Sequence, residues 1–71
     1  MSAIVDKAKL ILAAEIARMR AIPIEAADDI ISHVQDLIYD YENGDNIGYS
    51  SINEIFDEYG IPKYLQWVFD M

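Results

Sequence analysis

The sequence predicts an all-α fold: an antiparallel helical hairpin over residues 2–21 and 23–43, followed by two short helices over about 52–59 and 62–70. Apolar residues recur three and four apart along both long stretches, with no run at a spacing of two. Proline and glycine fall only at or between the ends of those stretches. The chain has 71 residues and no cysteine, so one small helical domain must hold itself together by packing.

Helix 1 opens with Ser2 as N-cap and Asp6 in the first turn. Ile4, Val5, Ala8, Ile11, Leu12, Ile16 and Met19 make its expected core face, with Glu15 projecting into the middle. The other side carries Leu10, Ala13, Ala14, Ala17 and Ala21. Small residues four apart admit a second helix closely, so Ala13, Ala17 and Ala21 are the expected contact between two copies. Pro23 ends helix 1 and opens helix 2. Helix 2 has a clean apolar face of Ala27, Ile30, Ile31, Val34, Leu37, Ile38 and Tyr41, and Gly44 caps it. A polar loop spans 45–50. Ser51 and Glu54 then form a capping box for helix 3, whose stripe is Ile52, Ile55, Phe56 and Tyr59, ending at Gly60. Pro62 opens helix 4. There Leu65, Val68 and Phe69 share one face, while Tyr64 and Trp67 point elsewhere.

Charge divides the chain. The formal net charge is −8. Lys7, Lys9, Arg18 and Arg20 outnumber Asp6 and Glu15 in helix 1. Residues 23–71 hold eleven acids and one base, Lys63. Such a surface repels nucleic acid and anionic lipid and attracts basic protein. Glu25, Asp29, Asp36 and Asp40 fall on one side of helix 2, a ladder that Asp57 and Glu58 of helix 3 extend. A polar face is required of any amphipathic helix, and most such faces are only solvated. Ordinary ones mix both signs, because opposite charges four apart stabilise a helix. Here almost no Lys or Arg is available to mix, which points to a basic partner.

Other constellations carry less. Asp29, His33 and Asp36 are too few for a metal site, so His33 reads as a solvated residue of the acidic face. The loop 43–54 places Gly48 and Glu54 as a calcium loop would, but Asn43, Ile47 and Ser50 fail its pattern. Helix 3, Gly60 and helix 4 have the outline of a helix-turn-helix. Its reading helix would carry one base in a −8 chain, and Phe56 stands where that motif wants a small residue. No nucleophile stands with a base at informative spacing, and adjacent acids such as Asp28 and Asp29 diverge on a helix. No enzyme activity, cofactor or metal is expected. No apolar run approaches the ~20 residues of a membrane span, and the lack of cysteine fits a reducing cytoplasm.

The segment 50–70, with Ser51, Tyr59, Ile61, Pro62, Leu65, Phe69 and Asp70, resembles a stretch of ArdA-type antirestriction proteins. Those are acidic dimers that imitate bent DNA. The resemblance covers under a third of the chain and leaves the helical hairpin out. In size and acidity the chain is similar in type to small phage anti-CRISPR proteins. The resemblance implies a phage or mobile-element inhibitor acting in the host cytoplasm. Such an inhibitor would block the nucleic-acid site of a host defence enzyme without binding nucleic acid or membrane itself. Asp29, Asp36, Asp40, Asp57 and Glu58 would make the contacts by charge, Tyr64 and Trp67 would anchor, and the protein would be a homodimer. Two alternatives stay open. One is an immunity or antitoxin-like protein for a basic toxin, and the other is a structural or adaptor homo-oligomer.

Overall fold

The computed structural model describes residues 3–70, so the cap expected at Ser2 lies outside the described residues. Four helical elements follow in order: α1 (Ala3–Arg20), α2 (Ile24–Glu42), α3 (Ile52–Tyr59) and a C-terminal 3-10 helix (Lys63–Asp70). No strand occurs among the described residues. The two long helices pack on each other, α3 packs on α2, and the 3-10 helix returns to α1. The all-α hairpin expected from the periodicity is the architecture observed.

Each boundary has a local cause. Pro23 forbids helical geometry at Ile22, so α1 must stop within a few residues. It does so through Ala21, whose φ of 54° is left-handed, and the Ile22 N–H donates to the Ala17 carbonyl at 3.0 Å. An alanine there carries about 1–2 kcal/mol of steric cost that glycine avoids. Pro23 itself sits just before the first turn of α2 rather than inside it. At the far end of α2, Gly44 follows in a left-handed conformation, and the Asp45 N–H reaches back to the Asp40 carbonyl at 3.0 Å. The Ser51 hydroxyl accepts from the Glu54 N–H at 3.2 Å. The Glu54 carboxylate reaches back one residue further than a standard box, to the Ser50 N–H at 3.1 Å.

The core joins Leu12, Ile16, Ala27, Val34, Ile38, Ile55, Phe56, Leu65, Val68 and Phe69, with the Phe56 and Phe69 rings 5.6 Å apart. The clean face of α2 is buried as its spacing requires. In α1 the buried face is rotated from the expected one. Ala8, Leu12, Ala13 and Ile16 are inside, whereas Ile4, Ile11 and Met19 are exposed. Ala13 is 0% exposed and Ala17 packs against the core, so these two lie inside the monomer and do not form the outer small-residue face expected between copies. Ala21 is no helix-face contact either, because it is the left-handed connector after α1. Ala27 is also fully buried on α2, and small residues at buried positions on both helices leave little interior room for the larger side chains of α1, which turn outward.

The last element is a 3-10 helix and not an ordinary α-helix. Its threefold repeat stacks residues three apart. That puts Leu65 and Val68 on the core and Tyr64 and Trp67 outside, as their spacing suggested. The Gln66 amide donates to the Ile61 carbonyl at 3.1 Å and pins its start. The loop before α3 is less polar in role than in composition. Ile47 and Tyr49 pack against the core, and the Tyr41 hydroxyl donates to the Ser50 carbonyl at 3.1 Å.

Candidate functional site

Glu25, Asp29, Asp36 and Asp40 follow one side of α2, opposite its buried residues Ala27, Ile31, Val34 and Ile38. At about 1.5 Å per residue, Glu25 to Asp40 covers roughly 22 Å of helix. Asp29 and Asp36 are exposed and Asp40 is half-buried. None of the four is in an ion pair. Among the described residues the ion pair is Arg18 with Glu15, at 2.8 Å, and it lies on α1. Glu15 is the more sheltered of that pair, and Arg18 grips it through two nitrogens. The acid set into the face of α1 is thus satisfied within its own helix. Lys9 of α1 and Asp36 of α2 line the same small cleft without pairing.

The α3 acids behave differently from one another. Asp57 is exposed. Glu58 is also exposed, but it accepts a hydrogen bond from the Tyr49 hydroxyl. That bond, with partial burial, holds the Tyr49 proton well above the usual range of a phenol. Glu58 is therefore tied to the loop, while Asp57 projects freely. His33 meets Tyr59 edge to face at 5.6 Å, which fastens the flank of the α2 stripe to α3. His33 is an aromatic contact in this position. No three His, Asp or Glu among the described residues are grouped to hold a metal ion. No helix among them is long and apolar enough to cross a membrane.

Tyr64 and Trp67 do not join the acids. They form one wall of an apolar groove of about 370 Å³, with Ile4, Lys7 and Ile11 of α1 opposite and Leu65 beneath. Tyr64 is 64% exposed and Trp67 40%. The molecule therefore has two separate surfaces: an acidic stripe on α2 with α3 beside it, and an apolar groove between α1 and the 3-10 helix. Sequence reasoning missed the groove because it assigned Ile4 and Ile11 to the core. The alanines of α1 were the available signal, since a helix with that many small residues can bury them in place of its large ones.

Neither family models, nor curated proteins, nor solved structures provide a match to this chain.

Proposed function

We propose that this chain is a protein-binding inhibitor whose α2 acids imitate nucleic-acid phosphates and occupy a basic, nucleic-acid-binding surface. One observation carries the proposal: Glu25, Asp29, Asp36 and Asp40 stand on one rigid helix side with no ion-pair partner. Repulsion along such a stripe works against folding, and a basic partner would turn the same repulsion into binding. The stripe of roughly 22 Å matches about six phosphate steps of one DNA strand. Four carboxylates over that length give a sparser charge than DNA, so Asp57 on the neighbouring helix supplies part of the field. The resemblance of residues 50–70 to antirestriction proteins supports a restriction or CRISPR enzyme as the target class.

The test uses the intact protein as bait in lysate at low and high salt, with duplex DNA as competitor. The expected result is capture of a basic nucleic-acid enzyme, released by salt and displaced by DNA. The triple variant Asp29→Lys, Asp36→Lys, Asp40→Lys should keep its helical circular dichroism and lose that capture, whereas single neutralisations should weaken it only a few fold. Undiminished capture by the triple variant, or indifference to DNA, would sink the proposal.

A further inference from the structure

We propose that the groove between α1 and the 3-10 helix is the seat of a second copy of this chain, joined through antiparallel α1 helices about a two-fold axis at Ile11. This surface is separate from the acidic stripe, and the inference does not depend on what the stripe binds.

Both halves of the fit lie on one helix. Ile11 is 46% exposed and lines the groove, and Met19, two turns further along α1, is 49% exposed. Ile4, Ala8, Ile11, Glu15 and Arg18 alternate at spacings of four and three and so share one face of α1. When two α1 helices run antiparallel about Ile11, each residue meets the one as far on the other side of Ile11. Ile11 then meets its own copy. Met19 of the partner subunit then lies over Ala3, next to Ile4 at the edge of the groove. The operation is symmetric, so both grooves fill at once.

Charge selects this register. Four of the five bases are in α1, and eleven of the thirteen acids are elsewhere. Association through α1 is the one that keeps the acidic α2 and α3 faces of the two copies apart. A parallel pairing would set Lys7 against Lys7. The antiparallel pairing sets Lys7 opposite Glu15 of the partner subunit, whose carboxylate is already held in place by Arg18. A lipid surface is the competing occupant of a basic helix with exposed apolar residues. The −8 charge of the whole chain opposes it. The contact is one helix long, about 27 Å by 10 Å. That footprint, about 270 Å² per copy, is well below a standard interface, so the dimer is expected to be weak.

Because the chain has no cysteine, single cysteines are clean probes. Ile11→Cys sits on the proposed axis and should give a disulfide-linked dimer on mild oxidation. Leu10→Cys, more accessible at 67% exposure but a quarter-turn away, should not. Sedimentation equilibrium of the unmodified chain should show twice the 8.1 kDa monomer at high concentration and the monomer on dilution. Trp67 emission should shift to the red over the same dilution. Ile11→Arg and Met19→Arg, both at exposed positions, should keep their circular dichroism and weaken the dimer at least tenfold. Several results would overturn the inference. One is a monomer up to millimolar concentration. Another is cross-linking by Leu10→Cys in preference to Ile11→Cys, and a third is a dimer indifferent to both arginine variants. A Trp67 response to vesicles of phosphatidylcholine with one-third phosphatidylglycerol, without dimerisation, would assign the groove to lipid instead.

Discussion

The two long helices are nearly equal in length, yet they divide polar from apolar in opposite ways. Along α2 every large aliphatic residue at core spacing is buried or half-buried, and the acids take the far side. Along α1 two alanines besides Leu12 and Ile16 fill the interior, while Ile4, Leu10, Ile11 and Met19 face outward. In α2 size and burial agree, so one helix wheel identifies both faces. In α1 they disagree, because the space between closely spaced backbones suits alanine better than isoleucine. A helix with apolar residues all round can be placed only by what it packs against, and its leftover large residues mark a second surface.

The sharpest way to break this contrast is within α1, at adjacent residues. Leu12 is 0% exposed, and Leu12→Ala should cost about 3 kcal/mol. A core of this size supplies only about 3–5 kcal/mol in all, so the variant should be largely unfolded at 37 °C. Ile11→Ala should cost the monomer under about 0.5 kcal/mol. Urea titration below the dimerisation range compares the two without the mass-action term of association. Equal losses would restore Ile11 to the core and reject the rotated face.

Ala13 gives the next largest effect. A Leu at that fully buried position must displace α2 or adopt a strained rotamer, which should cost about 2 kcal/mol. On an outer small-residue face the same change would be nearly neutral to a monomer. Thermal melts of dilute Ala13→Leu decide between the two placements.

These two positions also show how much of the fold could be read from the residues. The hairpin, the Ser51–Glu54 capping box, the glycine stops at Gly44 and Gly60, and the two faces of the last helix each follow from local chemistry. What could not be read is non-local. The rotation of α1 depends on Ala27 of the other helix. The 3-10 form of residues 63–70 depends on seating Leu65, Val68 and Phe69 together on the core. The candidate acids were legible because a surface stripe is a property of one helix. The groove was not, because it needs Ile11 and Trp67, far apart in the chain, on facing elements. For the same reason Tyr64 and Trp67, expected to anchor the partner that the acids contact, stand with α1 instead.

A smaller effect sharpens the comparison at the helix ends. Gly60 and Ala21 both adopt left-handed geometry after a helix, with φ of 67° and 54°. Only the second pays for a side chain there. Ala21→Gly should raise stability by about 0.5–1 kcal/mol, the steric relief exceeding the added freedom of the unfolded chain. Gly60→Ala should lower it by about 1 kcal/mol. No neighbouring atom lies within 4 Å of the added methyl, so that cost is conformational. A melting temperature for Ala21→Gly at or below that of the unmodified chain would place the strain elsewhere.

A small expected gain in stability is the most informative about function. Asp40 lies in the last turn of α2, which contains no base, and stands four residues after Asp36. A negative charge there meets the negative end of the helix dipole and a like charge one turn back. Asp40→Lys reverses both interactions and should stabilise the fold by about 0.5 kcal/mol. If the stripe were only a solvated face, such a lysine would be neutral or better in every respect. If the stripe binds a basic surface, the same variant should melt higher and bind more weakly, by severalfold in the captured complex. A gain in stability coupled to a loss of affinity is the signature of residues kept for a partner against the interest of the fold. Asp40 is placed so that one substitution reads both quantities with opposite signs.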